Sequence, residues 1–149
     1  MFNYVKECLT TKFADFKTRA RRSEYWYFVL AQIPIMIIAM VLDNIFGTNF
    51  KIENPAFPEG GMDLPYGYIY LLAALALTIP SLSAGVRRLH DVGKSGWFYL
   101  IILIPLVGVI WLLVLFCTDS KSGENKWGSN PKGIGNKGNS DDLISTIGS

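Results

Sequence analysis

The stretch RRLHDVGKSGW, Arg87 to Trp97, holds an arginine pair, a His–Asp pair and a Gly-Lys-Ser triplet within eleven residues. His90 beside Asp91 has the makings of a general base and its orienter, with Ser95 as the nearest nucleophile. His90 is the only histidine, and Cys8 and Cys117 stand far apart with no CxxC spacing, so neither a metal site nor a disulfide framework is expected. The VGKS run resembles the end of a phosphate loop. That loop needs a glycine five positions before Gly93, where Arg88 stands, and a buried strand ahead of it rather than an apolar helix. The nucleotide reading therefore fails, and no cofactor is expected. The structural alternative is favoured for the rest: Asp91 or Ser95 caps the following helix, and the His90 ring hydrogen-bonds across the loop.

The arginines carry more information. Arg21 and Arg22 lead into the first apolar run, Arg87 and Arg88 end the second, and Glu24 and Asp91 accompany them. Charge at a membrane boundary seeks a counter-ion or a lipid headgroup, because solvation there is incomplete. Glu24 and Asp91 are expected to pair with two of the arginines and lock the helices. The remaining cations would face lipid phosphate, which arginine can bind with two parallel hydrogen bonds. The bland alternative is that these residues are topology signals alone.

The elements that must position these groups are apolar helices. Half of the 149 residues are hydrophobic and mean hydropathy is +0.29, while the 14 Lys+Arg and 12 Asp+Glu fall between and around three long uncharged runs. That is the layout of a small polytopic membrane protein. A net charge of +2, without basic residues interleaved with aromatics outside the membrane flanks, gives no nucleic-acid signature. Phe2, Val5, Leu9, Phe13 and Phe16 recur at helical spacing and predict an N-terminal amphipathic helix within residues 1–22. The first span is predicted over 25–42, opened by the aromatic belt Tyr25, Trp26 and Tyr27 and interrupted by Pro34. The second covers 66–86, with Pro80 and the small-residue run SLSAG. The third covers 97–117, from Trp97, with Pro105 and Gly108 at its centre. It is read as one kinked span, since a re-entrant hairpin would have arms too short to cross.

Residues 43–65, with NPAFPEGG, predict a polar loop without regular structure, and the section after Pro131 predicts a disordered tail. The first 22 residues are too mixed for a cleavable signal, so the first run is expected to remain as an anchor. With three spans, the N-terminal segment and the 87–96 loop share one side and hold nine of the Lys+Arg, against five in the 43–65 loop and the tail. The positive-inside rule then places the nine in the cytoplasm and the tail outside.

Four motifs occur in order: RARRSEYWYF at 19–28, RRLHDVGKSGW at 87–97, IPLVGVIWLLVLF at 104–116 and GENKWGSNP at 123–131. In combination they resemble domain-of-unknown-function family 805 (DUF805), the YhaH-like bacterial inner-membrane proteins. The resemblance covers about residues 1–131 and implies a multi-pass inner-membrane domain, with 132–149 as a polar addition. It marks Arg19, Arg21, Arg22, Glu24, Tyr25 and Trp26 in the first motif. It marks Arg87, Arg88, Leu89, His90, Asp91, Ser95 and Trp97 in the second, and Gly123, Glu124, Asn125, Gly128 and Pro131 in the last. Two departures stand out: DFKT where the family often has a glycine ahead of its first arginines, and a longer 43–65 loop. The family implies no activity. The tail motif also competes with the topology, since docking it on RRLHD would need a fourth crossing or a re-entrant third segment.

The fold expected is thus all-α, with three spans. Its function is expected to be that of a non-enzymatic membrane module whose cytoplasmic arginine-rich face, with Asn125 of the tail motif, binds anionic lipid headgroups or a partner protein. A subunit of an oligomeric carrier or channel is the alternative, with Gln32, Thr78, Ser81 and Ser83 as its few polar span residues. An enzyme acting on a phosphorylated lipid, through His90 and Asp91, comes third.

Overall fold

A computed structural model describes residues 2–52 and 62–136. Its elements are α1 (Phe2–Leu9), α2 (Arg22–Phe46), β1 (Asn49–Ile52), β2 (Met62–Gly67), α3 (Tyr68–Asp91), a 3-10 helix (Gly96–Leu103) and α4 (Val107–Cys117). The chain divides into two compact units, residues 1–28 with 80–149 and residues 29–79.

Helices α2 and α3 hold 25 and 24 residues. At 1.5 Å per residue each is about 36 Å long, more than a hydrocarbon core of about 30 Å. Their most apolar windows are only 17% and 28% buried, and Leu30, Ile33, Ile37, Ile38, Leu72 and Leu75 all stand exposed. Such surfaces belong in lipid rather than water. Helix α2 overruns the span expected at 25–42 at both ends, while α3 begins two residues inside the span expected at 66–86 and overruns only its end, because the charged residues at 22–24, 43 and 87–91 are helical as well.

In the unit of residues 29–79, β1 and β2 pair antiparallel, with Asn49 opposite Gly67 and Lys51 opposite Asp63. The expected unstructured 43–65 loop is therefore a ribbon at its ends, while its NPAFPEGG core lies outside the described residues. Asp43, in the last turn of α2, organises this connection. Its carboxylate accepts from Thr48 Oγ1 at 2.6 Å and from the backbone N–H groups of Gly67, Ile69 and Tyr70 at 2.9, 3.0 and 2.8 Å. The N-terminal N–H groups of α3 have no intrahelical acceptor, so a carboxylate from the preceding helix caps them. Gly67 must be glycine, since a Cβ there would lie 2.0 Å from the Thr48 carbonyl oxygen.

The other unit gathers both ends of the chain. Helix α1 is shorter than its apolar pattern. Thr10 and Thr11 donate their hydroxyls to the carbonyls of Lys6 and Glu7, and residues 10–21 continue as turns and an extended strap. The strap is fastened to α3 where Ser83 Oγ donates to Lys12 O (3.1 Å) and Asp15 O (2.7 Å) and Ala20 N donates to Arg87 O (3.1 Å). The SLSAG run thus receives the N-terminal strap at Ser83. At Gly85 it admits the Tyr99 ring, which would lie 2.6 Å from a Cβ.

The predicted third span is corrected by the structure: residues 97–117 do not form one continuous helix. The 3-10 helix ends at Leu103, a turn follows, and α4 begins at Val107. Val107 N donates to Pro105 O at 2.7 Å around Leu106, whose φ is +63° and ψ −61°. This three-residue γ-turn is rare and strained for a non-glycine residue. The arms then pack so closely that a Cβ on Gly108 would lie 1.7 Å from the Ile101 carbonyl oxygen. Tyr99 on the first arm and Phe116 on the second stand 6.4 Å apart, and Leu89, Leu112, Leu115 and Phe116 form a core that Tyr25 also joins. Pro105 and Gly108 mark a reversal, not a kink. Each arm is about 16 Å long, half of a crossing.

Candidate functional site: a buried charge network at the helix ends

The last turn of α3 places Arg87, Arg88 and Asp91 inside the protein, each with no exposed surface. Arg87 donates to Glu24 of α2 at 2.6 Å and to the Cys8 sulfur of α1 at 3.3 Å. Lys12 joins Glu24 at 3.3 Å and Glu7 at 2.7 Å. Asp91 accepts from Arg88 (2.5 Å), from Arg19 (3.1 Å) and from Ser120 Oγ (2.6 Å). Two arginines on one carboxylate leave a positive excess, and backbone carbonyls absorb it. Arg19 also donates to the carbonyls of Asp91, Lys121, Gly123 and Gly128, from 2.7 to 3.2 Å. Arg88 donates to Phe116 O (3.2 Å) and Thr118 O, Arg22 to Cys117 O (3.3 Å), and Arg21 to Pro131 O (2.6 Å).

The carbonyls at the end of α4 would otherwise lack partners, and they carry the negative end of the helix dipole. Arg22 and Arg88 therefore cap α4 and hold its C-terminus beside the start of α2. The tail follows. Lys121 N donates to Asp91 O at 3.0 Å, Asn125 Nδ2 to His90 O at 2.9 Å, and Asn130 Nδ2 to Lys121 O at 3.0 Å. The expectation that the tail lies across the membrane from RRLHD gives way, because residues 118–136 are fastened to that loop. Residues 137–149 of the expected disordered tail lie outside the described residues.

The His90 and Asp91 side chains bond to different partners rather than to each other. Asp91 is bonded to arginines, while His90 Nδ1 lies 3.4 Å from Thr18 O and its ring stacks on Trp127 at 4.3 Å. Nor do Asp91 and Ser95 cap the following helix with their side chains. Ser95 holds the N-cap position of the 3-10 helix, but its hydroxyl makes no capping bond. Gly93, at φ +78°, ends α3: Gly93 N bonds His90 O and Lys94 N bonds Leu89 O, which explains the glycine of the VGKS run. Trp26 is half-buried with its ring edge-on to Tyr25, and Trp97 is 80% exposed.

The groups around the network titrate according to their partners. The hydrogen bond from Lys12 holds the Glu7 carboxyl below its ordinary value. Burial alone would depress Lys12, but Glu7 and Glu24 outweigh it and hold the ammonium above the usual lysine value. Burial raises the Cys8 thiol. The Lys132 ammonium lowers Asp119.

A family model described as a protein of unknown function, DUF805, matches residues 13–129. The chain belongs to the DUF805 family. It is 37% identical over 120 residues to the inner membrane protein YhaI of Escherichia coli K12, covering 80% of this chain and 88% of that one. It is 34% identical to the inner membrane protein YhaH of the same organism, over 80% of this chain and 89% of that one. No solved structure matches it. With two long apolar helices and these relatives, this DUF805 chain is a mostly helical protein of the bacterial inner membrane. The DUF805 motifs at 19–28, 87–97 and 123–131 meet in the charge network.

Several residues of that network were not in the site expected from sequence. Arg19 stood only as a motif position and Ser83 only as a polar span residue of the carrier alternative, and Lys12, Ser120, Trp127 and Asn130 were not singled out. Each is recognisable only once the tail and the strap are known to dock. Asp43 falls in the 43–65 segment expected as a loop, and its helix-capping role depends on the return of the chain at Gly67.

Proposed function

We propose that this chain is a non-enzymatic inner-membrane module that crosses the bilayer twice, inserts residues 97–117 as a re-entrant hairpin, and presents a basic cytoplasmic face to anionic lipid headgroups. The observation that carries the reading is the latch of Arg22 and Arg88 on the last carbonyls of α4. It returns the hairpin to the face where it began, and the tail with it. Most backbone donors around the hairpin turn are bonded within it, as hydrocarbon demands. Only Lys51 of the 14 Lys+Arg then lies in the connection between the two crossings, which is a strong positive-inside asymmetry.

The cations that meet lipid are not the paired arginines of α3. Arg87 and Arg88 are buried and occupied, so their part is to hold α2, α3, the hairpin and the tail together. Lys6, Lys17, Lys94, Lys121 and Lys126 stand exposed. Each contributes about 1 kcal/mol at an anionic surface. Exposed Trp97 suits the interface between headgroups and chains. The carrier reading draws less support, because the ionisable groups of this unit face one another rather than a passage.

Native mass spectrometry of the protein in a neutral detergent containing equal phosphatidylglycerol and phosphatidylcholine tests the reading. Retained lipid is expected to be mainly phosphatidylglycerol. Equal retention of both would overturn the headgroup role.

A further inference from the structure

We infer that Lys94, Lys121 and Lys126 form the walls of a specific site for one phosphate-bearing lipid, with its headgroup among the three ammonium groups and an acyl chain in the adjoining apolar groove. The inference rests on the reading that this face lies at the headgroup layer and names the place where a single lipid is held. The three lysines come from separate segments: the loop after α3, the chain after α4, and the tail motif. They surround an open cleft of about 520 Å³. That is within the size range of small-molecule sites.

None of the three makes an ion pair among the described residues. This contrasts with the arginines behind them, which are matched to carboxylates or carbonyls. Of the nearby carboxylates, Asp91 is engaged by Arg19 and Arg88 and Asp119 by Lys132, while Glu124 is exposed on the tail motif and takes no part in the cleft lining. Three unmatched like charges around one cleft repel one another, and an anion bound between them relieves that repulsion.

The cleft is also built rather than incidental. The stem of Lys121 passes over Gly93, where a Cβ would meet its Cδ at 3.0 Å. Lys94 Nζ lies 5.4 Å from the centre of the Phe98 ring, and Lys126 Nζ 4.2 Å from that of Trp127. Trp127 is itself held by its stack on His90. Side chains placed before binding lose less freedom on binding. Ser95 adds a hydroxyl that takes no part in helix capping.

A second cavity shares Ser95 and identifies the other half of the ligand. It measures about 420 Å³ and is mostly apolar, with Phe16, Leu82, Val86, Trp97 and Leu100 in its walls. A basic cleft and an apolar groove meeting at one serine fit an amphiphile, and a phospholipid has that order of charge and chain.

The test is a titration of the full-length protein in neutral detergent with dioleoyl-phosphatidylglycerol, read as one-lipid occupancy by native mass spectrometry. The expected result is one retained lipid per chain. Occupancy should fall at least about tenfold when Lys94, Lys121 and Lys126 are all changed to Gln, and remain when they are changed to Arg. Lys51→Gln, exposed in the connection between α2 and α3, should keep the bound lipid. Unchanged occupancy in the triple Gln variant, or an equal loss in Lys51→Gln, would overturn this site. Competition by millimolar inorganic phosphate would overturn the lipid as the source of the phosphate. Failure of the native protein to prefer phosphatidylglycerol over phosphatidylcholine would remove the wider reading as well.

Discussion

Asp91 has no exposed surface and accepts from Arg19, Arg88 and Ser120 at once. Two of those donors are buried guanidinium groups, so the carboxylate is what makes their burial tolerable. Removing one partner of a buried ion pair costs about 3–5 kcal/mol, because the charge left behind remains buried. Asp91→Asn preserves size and keeps an acceptor for Ser120, yet leaves both arginines without their counter-charge. Its unfolding free energy in detergent should fall by about that amount, whereas Glu124→Gln, at an exposed position, should change it by less than about 0.5 kcal/mol. A loss of under 1 kcal/mol for Asp91→Asn would mean that the carbonyls alone support the arginines. At this scale the sequence was partly legible. Opposite charges at two helix ends made Glu24 and Asp91 natural partners for the arginines. Half of the network is backbone carbonyl, however, and a carbonyl has no letter in a sequence. The destinations of Arg19, Arg21 and Arg22 could not be read from composition or spacing.

The long helices were legible for a physical reason. Eighteen or more apolar residues leave few alternatives to a long helix, and both runs form helices long and apolar enough to cross a membrane. The 97–117 run passes the same hydropathy test and still reverses, since hydropathy records solvent preference and not the destination of the segment's far end. That destination is set by Arg22 and Arg88 on the α4 carbonyls, while Gly108 allows the arms to touch. Gly108→Val puts a Cβ 1.7 Å from a backbone oxygen that belongs to the opposite arm, and no rotamer relieves that contact. The variant should lose the hairpin packing, with destabilisation above about 3 kcal/mol, the upper end of ordinary overpacking. Val109→Ala, on the neighbouring exposed position, should fold almost normally. Thermal unfolding followed by total tryptophan emission, to which Trp111 on α4 contributes alongside Trp26, Trp97 and Trp127, reads both. Equal melting of the two variants would show that the arms do not pack as described.

For the whole molecule, the buried network and the hairpin make one argument about topology. A third crossing would carry residues 118–136 away from Arg19, Arg21 and Asp91, and those bonds would be lost together. Two crossings keep them, and of the lysines and arginines among the described residues only Lys51 would then lie on the side opposite the N-terminus. Accessible cysteines separate the two arrangements. In a chain with Cys8→Ser and Cys117→Ser, the exposed positions Lys17, Lys51 and Ser129 are changed one at a time to Cys and treated with a membrane-impermeant maleimide on intact spheroplasts. Lys51→Cys should react at once, while Lys17→Cys and Ser129→Cys should react only after the membrane is opened. Reaction of Ser129→Cys in intact spheroplasts, with Lys17→Cys protected, would restore the third crossing and require the arginines to find other partners. Protection of both positions together would place residues 17 and 129 on the cytoplasmic side, the arrangement that the bonds of Arg19 and Arg21 to the tail require.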